Sequence, residues 1–396
     1  MTTFEKKAII TSILDNDLYK FTMMQGAWRQ YPNLVVEYTF TNRGQTPFPK
    51  NFGAALRWQI RQVANLRLTD EEYTWLRTSE NTKFFRPEFV EFLRTFKLRA
   101  KDVTVRQRGN KVTLSIKGPW FRTILWEVPL LALISELYFQ MTGQEADEDI
   151  FTSRLETKTR KLVAAGAKFA EFGTRRRFSR EIQERVVAYF AEHAKSSFIG
   201  TSNMYLAMKY DLKPIGTQAH EWFMAHQAMF STVLANLKGL ESWLDEYNGD
   251  LGIALSDTFT TDVFFKTFTK ALADAYAGLR WDSGDANEFT LKAKAFYDSI
   301  KIDSRTKSIV YSDSLDDDKA IELLEAFKEL FIIAFGIGTY FTNDVGVKPL
   351  NIVIKLFRCW VNGEMIEVVK LSDTPGKNNG TQAAIAQTLQ DLDLAA

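Results

Sequence analysis

The middle of the chain alternates between short apolar runs and longer segments in which apolar residues recur at helical spacing. Segments such as 179–194, 262–276 and 316–330 predict amphipathic helices. Seven apolar runs lie before or between the helical segments, at 168–174, 197–202, 212–218, 251–257, 277–285, 308–313 and 331–339. Repeated strand–helix units predict a parallel sheet. The predicted fold class is α/β, and seven strands in this length favour an irregular α/β barrel over an open sheet.

Both ends of the chain differ from the middle, because apolar and polar residues alternate there one by one. Residues 34–43 predict a strand, and residues 103–118 predict a hairpin around a Gly-Asn turn. Residues 350–371 predict another hairpin, around Asn362-Gly363. The two ends together therefore predict a second domain of mixed α+β structure.

We place this second domain at residues 1–125 plus 345–396, and the barrel domain at residues 126–344. Residues 372–382, SDTPGKNNGTQ, predict an exposed, mobile loop. The most apolar stretch, 124–139, contains two glutamates and a proline, and we expect it to be too short and too charged to span a bilayer. It predicts a buried helix instead.

Composition narrows the classes of function. The chain has 396 residues, and its 50 basic and 49 acidic residues give a net charge of +1. No broad basic field exists, so the sequence predicts neither a nucleic-acid partner nor a membrane partner, and any recognition of anions must be local. The one cysteine, Cys359, excludes an intrachain disulfide and favours a reducing compartment, which predicts a cytoplasmic location.

Small and polar residues end all seven apolar runs. The carboxyl ends of barrel strands carry active sites, so these residues predict a polar ligand at one face. Turn formation and helix capping explain the same residue types, and for a single loop that explanation is the better one. Seven such loops, three of them with arginine or histidine, favour a ligand.

His220 is the first candidate for chemistry, in the stretch PIGTQAHEW. His226 lies six positions later, so the two cannot share a metal as histidines four apart on a helix do. With three histidines and one cysteine, no transition-metal site is evident. The start of a helix favours negative charge and would stabilise a phosphorylated imidazole. An ordinary hydrogen-bonded histidine at a helix start remains the alternative.

Arginines follow two of the predicted strands. In EFGTRRRFSRE, Arg175 lies nearest the strand and is our candidate for a phosphate contact, since an arginine fork grips phosphate with two hydrogen bonds. In the alternative interpretation, one or two of the arginines at 175–177 lie at a solvated helix start. In GLRWDSGD, Arg280 and Asp282 place a cation and a carboxylate at one strand end, and the carboxylate could bind a sugar hydroxyl or Mg²⁺.

Two further stretches suggest ligand contacts. The glycine-rich FGIGT at 335–339 follows a strand, and its backbone amides could cradle a phosphate, although it matches neither the dinucleotide-binding nor the P-loop pattern. Tyr19 in DNDLYKFTMMQG falls in the first turn of a predicted helix, where its ring could pack on a planar ligand or lie at the edge of the core.

Taken in order and spacing, these stretches resemble the nicotinate phosphoribosyltransferase family. The resemblance rests on LDNDLYKFTM, EFGTRRRFSRE, GTSN, PIGTQAHEW, GLRWDSGD, VYSDSLD, FGIGT and KPLNIVIKL. It implies formation of nicotinate mononucleotide and pyrophosphate from nicotinate and 5-phosphoribosyl-1-pyrophosphate. It also implies coupling to ATP hydrolysis through a phosphohistidine, an irregular α/β barrel with a second domain, and a homodimer whose sites lie at the subunit boundary.

The resemblance also implies a role for each matching residue. His220 would be phosphorylated by ATP, and Asp282 and Asp313 would stabilise positive charge on the sugar, with Asp313 holding the ribose hydroxyls. Tyr19 from a neighbouring subunit and Phe172 would sandwich the pyridine ring, and Thr201, Ser202 and Arg280 would lie near its carboxylate. Arg175, Gly336, Gly338 and Thr339 would bind phosphate. Mg²⁺ would arrive only as a complex with substrate, so no resident metal is expected.

Other activities remain open at this point. The chain could use nicotinamide or quinolinate, or it could bind NAD metabolites without catalysis. Ser202 argues against nicotinamide, since related nicotinamide-using enzymes have an aspartate there. His220 argues against quinolinate, whose transfer needs no ATP coupling. The presence of His220, Arg280 and Asp313 argues against a non-catalytic role.

Overall fold

A computed structural model describes residues 6–374 and 377–394. The strands, labelled in chain order, are β1 Val35–Asn42, β2 Val103–Arg108, β3 Lys111–Pro119, β4 Phe169–Glu171, β5 Phe198–Thr201, β6 Ile253–Leu255, β7 Gly278–Trp281, β8 Ser308–Tyr311, β9 Ile332–Ile337, β10 Ile352–Val361 and β11 Glu364–Glu367. They form two sheets, one antiparallel and one parallel.

Helices surround and join these sheets. They are α1 Leu18–Gln30, α2 Phe52–Asn65, α3 Asp70–Thr78, α4 Pro87–Thr95, α5 Trp120–Thr123, α6 Glu127–Thr142, α7 Glu148–Ala164, α8 Arg180–His193, α9 Met204–Lys209, α10 His220–Phe230, α11 Ala235–Tyr247, α12 Thr261–Thr267, α13 Lys270–Ala275, α14 Ala286–Ser299, α15 Asp317–Phe327, α16 Thr339–Thr342 and α17 Gln382–Asp391.

The antiparallel sheet has the order β11-β10-β1-β3-β2, so strands from both ends of the chain pair side by side. Both predicted hairpins are confirmed: β2 pairs with β3, and β10 pairs with β11. In the second turn Asn362 and Gly363 have φ of 52° and 88°, the left-handed conformation that an Asn-Gly hairpin requires. One continuous cluster of buried apolar residues underlies both sheets. The proposed domain boundaries at residues 125 and 345 therefore stay a prediction.

The parallel sheet has the order β5-β4-β9-β8-β7-β6, and six of the seven predicted strands form it. The predicted seventh strand, 212–218, is reduced to an isolated parallel bridge between Thr201 and Pro214. Proline lacks the N–H that a ladder needs, so pairing stops there. The parallel sheet of the described residues therefore has six strands, and the seventh strand is not confirmed. A barrel is not confirmed, although the Thr217 hydroxyl donates to the carbonyl of Ile253, 3.2 Å away on β6 at the opposite edge.

The apolar stretch around residues 124–139 lies in the centre of the protein. The helical segment Trp120–Thr142 has 23 residues, which by length and composition alone could cross a membrane, so the expectation that it is too short is wrong. Its most apolar window is 83% buried inside the protein, which confirms the predicted buried helix. Within this segment α6 contacts α2, β10 and the turn at 174–176, so it lies between the two sheets and carries Glu127 to the site described next.

Candidate active site

His220 is the first residue of α10 and lies within reach of side chains from three other parts of the chain. Its Nδ1 is 3.1 Å from the Thr258 hydroxyl. Its Nε2 is 2.9 Å from Oδ2 of Asp282 and 2.8 Å from Nζ of Lys370. Asp257 is fully buried behind them, with Oδ1 3.9 Å from the same ring nitrogen.

The surroundings keep the His220 ring neutral. Burial, followed by the charge of Lys370, lowers the pKa of His220 from 6.5 to about 4, although the nearby carboxylates oppose this. At neutral pH the imidazole therefore has one nitrogen with a free lone pair, which is what a nucleophilic or basic role requires.

Asp282 joins His220 to the arginine at the end of β7. Its Oδ1 accepts hydrogen bonds from Arg280 at 3.2 Å and from the Ser312 hydroxyl at 2.8 Å. Burial disfavours the charged carboxylate, but Arg280, His220 and Lys370 outweigh it and hold the pKa of Asp282 well below its usual range. The predicted pair of a cation and a carboxylate at this strand end is thus present, with His220 added to it.

A cavity opens beside His220, between α6, α10 and β10. Its lining includes Tyr19, Glu127, Arg175 and Lys355 as well as His220. The Arg175 guanidinium lies 5.8 Å from the centre of the Tyr19 ring and 3.8 Å from Oε1 of Glu127. Tyr19 thus lines a cavity of its own chain, and the predicted contribution of a neighbouring subunit's Tyr19 stays a prediction.

The cavity carries more positive charge than its own carboxylates neutralise. Within the described residues, neither Arg176 nor Lys355 forms a hydrogen bond or an ion pair through its charged group, and both line the cavity. Burial, followed by the charges of Lys370 and Arg43, lowers the pKa of Lys355 to about 7. Burial and Arg175 likewise lower the pKa of Arg176 to about 10. Cations held close together without partners are arranged for an anionic ligand.

The glycines of FGIGT pack closely against Phe172. A methyl group built at Gly336 would lie 2.3 Å from the Phe172 ring, and one built at Gly338 would lie 3.0 Å from the Phe172 carbonyl oxygen. A larger residue would therefore displace the Phe172 ring at Gly336 and make a tight contact at Gly338, whether or not a phosphate binds. Gly338 precedes the short helix α16, which begins at Thr339. The phosphate contacts of Gly336, Gly338 and Thr339 stay predictions.

The hydroxyls of GTSN already have partners below the cavity. Thr201 is fully buried and donates to Oε2 of Glu171 at 2.6 Å. Ser202 donates to Oδ1 of Asp17 at 2.9 Å. Neither residue lies in the cavity lining, so their predicted contact with a substrate carboxylate stays a prediction.

Three more residues considered in the sequence lie outside the cavity lining. Asp313 follows β8, and its Oδ2 is 3.2 Å from Nζ of Lys377. Arg177 is fully buried and forms two hydrogen bonds to Asp15, of 2.7 and 2.9 Å, so the interpretation of a solvated helix start is wrong for this arginine. His226 is buried on the far part of α10, where its Nδ1 donates to the Trp222 carbonyl, away from His220.

Several residues of the site were not found from the sequence. Lys370, Asp257 and Thr258 stand in stretches that look like ordinary strand ends, and Lys355 lies within strand β10. The segment around Lys370 does not behave as the exposed loop we expected: Asp373 accepts from the Thr261 N–H at 3.0 Å, and the Thr374 hydroxyl accepts from the Gly284 N–H at 3.1 Å. Residues 375 and 376 of this loop lie outside the described residues. The only sequence signal for Lys370 was its place in KLSDTPGK, next to the matched motifs.

A resident Mg²⁺ ion does not fit the His220 cluster. Donor atoms of His220, Asp257 and Asp282 lie within 4.8 Å of one another. The Lys370 ammonium already contacts two of these residues, 2.8 Å from Nε2 of His220 and 3.1 Å from Oδ2 of Asp257. Mg²⁺ prefers six oxygen ligands, and here a nitrogen donor and a competing cation are present instead.

An imidazole kept neutral at the strand ends of a parallel α/β sheet, beside unpaired cations, defines an enzyme for anionic small-molecule substrates. Comparison with known proteins specifies this class. The model of the nicotinate phosphoribosyltransferase (NAPRTase) N-terminal domain matches residues 14–135, and the model of the NAPRTase family matches residues 167–395. The chain therefore belongs to the nicotinate phosphoribosyltransferase family, and it is an enzyme of the transferase type.

Individual relatives match over nearly the whole chain. The nicotinate phosphoribosyltransferase of Chromohalobacter salexigens is 45% identical over 94% of this chain and 95% of its own length. That of Desulforapulum autotrophicum is 43% identical over 97% and 99%. The crystal structure of nicotinate phosphoribosyltransferase from Porphyromonas gingivalis superposes with a TM-score of 0.95 at 38% identity, covering 97% of this chain and 100% of that one. The Vibrio cholerae structure gives 0.91 at 35%, covering 98% and 95%.

Proposed function

We propose that the protein transfers a phosphoribosyl group from 5-phosphoribosyl-1-pyrophosphate to nicotinate, forming nicotinate mononucleotide and pyrophosphate. We further propose that it couples this step to ATP hydrolysis through phosphorylation of His220. One observation supports the coupling most directly: a neutral imidazole stands at a helix start, between Asp282 and Lys370, at the wall of an electropositive cavity. The family and the named relatives support the transfer itself.

The residues of this chain have distinct parts in the proposed transfer. Loss of pyrophosphate leaves positive charge on the ribose, which the carboxylates of Asp282 and Asp313 would stabilise. Tyr19 and Phe172 would hold the pyridine ring in line with the reacting carbon, which lowers the entropic part of the barrier. Arg175 and Arg176 would bind phosphate groups.

Recognition of the nicotinate carboxylate would fall to cations of the same site. Arg280 already donates to Asp282 and Ser312, so its guanidinium is fixed in place before any ligand arrives. Ser202 is neutral, where an aspartate would repel the substrate carboxylate. Mg²⁺ would enter bound to the pyrophosphate of the substrate, since the His220 cluster does not fit a resident ion.

A competition assay with three pyridines tests the activity. Purified protein is incubated with 5-phosphoribosyl-1-pyrophosphate and equal amounts of nicotinate, nicotinamide and quinolinate, and the mononucleotides are separated. We expect the nicotinate product to dominate and pyrophosphate to appear in equal amount. Preferential use of another pyridine would reassign the substrate, and nicotinate binding without pyrophosphate release would indicate a non-catalytic role.

Labelling with γ-³²P-ATP tests the coupling. We expect an acid-labile, base-stable label in the protein that is absent from His220→Asn. A His220→Asn variant with full ATP-stimulated turnover would refute the phosphohistidine while leaving the transfer reaction in place.

Assembly, location and barrel closure are further proposals. A homodimer rests on the resemblance alone, and sedimentation of the pure protein would test it. Mixing inactive Tyr19→Ala and His220→Asn chains would restore activity only if sites are shared between subunits. A cytoplasmic location rests on the single cysteine, which is buried. The hydrogen bond from Thr217 to β6 supports treating 212–218 as the closing element of an irregular seven-membered barrel.

A further inference from the structure

Lys370 reaches His220 from the C-terminal part of the chain, about 150 residues away in sequence. Two backbone hydrogen bonds with Asn379, of 3.0 and 2.8 Å, fix its position. Its side chain is 7% exposed, and its ammonium group contacts Nε2 of His220 and Oδ2 of Asp257. A buried ammonium is costly unless a partner is provided, and the Asp257 carboxylate is that partner, 3.1 Å away.

The contacts of Nε2 are incompatible with one another in a single protonation arrangement. A ring nitrogen carries either a hydrogen or a lone pair. With a hydrogen, Nε2 donates to Asp282 and offers nothing to Lys370. With a lone pair, it accepts from Lys370, and Asp282 then keeps only Arg280 and Ser312. Lys370 and Asp282 thus compete for one atom of the proposed phosphoryl acceptor.

A phosphoryl group on His220 would change this balance. Asp257 and Asp282 both present carboxylates to the ring, and Oδ1 of Asp257 is buried with no hydrogen-bond partner among the described residues. Two carboxylates would repel an incoming phosphoryl group, which carries about two negative charges. Lys370 is the one cationic side chain in direct contact with the ring within the described part of the chain. Its ammonium is therefore placed to compensate that charge.

We propose that Lys370 is a further catalytic residue, whose ammonium pairs with the phosphoryl group as it passes from a nucleoside triphosphate to the His220 ring. This proposal rests on the proposed function. In the step, the bond between the γ-phosphorus and the bridging oxygen breaks, and its electrons leave with the nucleoside diphosphate. The lone pair of the neutral imidazole forms the new N–P bond, and the ring hydrogen remains on the other nitrogen.

Rapid-quench labelling of His220 with γ-³²P-ATP tests the proposal in five proteins: wild type, Lys370→Met, Lys370→Arg, Asp257→Asn and the double variant Lys370→Met/Asp257→Asn. The double variant removes the buried carboxylate that the single change leaves unpaired, so a folded protein without the ammonium is available. Lys328→Met is the matched control, because Lys328 pairs with Glu325 on the surface, 2.6 Å apart. Thermal unfolding is recorded for each protein.

We expect the labelling rate at saturating ATP to fall about 100-fold from wild type to Lys370→Met, the usual effect of losing one preorganised electrostatic contact. The double variant should fall by a similar factor relative to Asp257→Asn, since the two differ only at Lys370. Lys370→Arg should retain a large part of the rate, and Lys328→Met should match wild type. A structural role alone would lower the amount of folded protein, not the rate per folded molecule. Equal labelling rates in Asp257→Asn and the folded double variant would overturn the proposal for Lys370 only. Absence of label in wild type would overturn the proposed coupling and the role of Lys370 together.

Discussion

Replacing Gly336 with alanine should destabilise the protein through a clash with one side chain. The added methyl carbon would lie 2.3 Å from Cε2, 2.5 Å from Cδ2 and 3.1 Å from Cζ of Phe172, and these are its three nearest atoms. Carbon atoms in contact stay about 3.5 Å apart, so the ring must move by about 1.2 Å. The Phe172 backbone cannot follow easily, because its N–H donates to the Ile337 carbonyl at 2.8 Å.

The expected loss is about 1–3 kcal/mol in the free energy of unfolding, the usual cost of overpacking a filled site. Denaturant unfolding of wild type, Gly336→Ala, Phe172→Leu and the double variant measures it. Since the clash involves one ring, Phe172→Leu should cancel most of the cost of the methyl group, giving a coupling energy of about 1 kcal/mol or more. Gly44→Ala is the control, because its nearest atom is a flexible hydroxyl 3.3 Å away.

The same four proteins separate packing from phosphate binding at Gly336. If glycine serves only Phe172, the double variant should regain stability and have the same KM for 5-phosphoribosyl-1-pyrophosphate as Phe172→Leu. A KM higher in the double variant than in Phe172→Leu would show that the backbone of FGIGT also contacts phosphate. A Gly336→Ala protein within about 0.5 kcal/mol of wild type would refute the packing argument itself.

Three more outcomes follow from the charges buried near the site. Arg177→Met should lower the free energy of unfolding by about 3–5 kcal/mol, because it leaves Asp15 buried and unpaired. Thermal unfolding should show that Arg177→Met/Asp15→Leu recovers most of that loss. Equal losses in the two variants would contradict this explanation. Burial raises the pKa of Glu171 from 4.5 to about 7, so its contribution to stability is complete below pH 4.5 and lost as pH rises through 7. Glu171→Gln should flatten that part of a stability–pH curve, and an unchanged slope would refute it. With its pKa near 7, Lys355 loses its charge as pH rises, so the KM for the phosphorylated substrate should rise between pH 6.5 and 8.5. Lys355→Arg should abolish the rise. The same pH dependence in the arginine variant would exclude Lys355 as its source.

Periodicity and turn chemistry predicted most of the fold. Both hairpins and six of the seven middle strands formed where alternation and strand–helix spacing placed them, because those patterns reflect burial directly. The seventh strand failed because Pro214 cannot donate to a ladder, although the run around it is apolar. The length of the helical segment at Trp120–Thr142 was also misjudged, since its two glutamates turn toward polar partners rather than ending the helix: Glu127 meets Lys20 at 2.5 Å, and Glu136 accepts from the Arg180 N–H at 2.9 Å.

The site was predictable where chemistry and strand ends coincide, as at His220, Arg280 and Asp282. The site was not predictable where a side chain comes from a part of the sequence far from the recognised motifs. Lys355 has the pattern of an ordinary exposed strand residue on β10, and only the packing of β10 against α6 and α10 brings it to the cavity. The arginines at 175–177 show the same limit, because a 3₁₀ turn at 174–176 points successive side chains in different directions. Arg177 is consequently buried against Asp15 while Arg175 remains at the cavity.

Charge compensation connects His220 with Lys370 and the C-terminal segment that carries it. The imidazole is neutral because it is buried and because a cation contacts it, and the second condition depends on the C-terminal segment placing Lys370 there. Asp373 and Thr374 dock that segment onto the loops after β6 and β7, close to Asp282. A phosphoryl group on His220 would attract Lys370 away from Asp257 and so pull on the docked segment. The charge of one ring would then be felt at the loops that carry Asp282, which is the physical requirement for coupling ATP use to substrate binding.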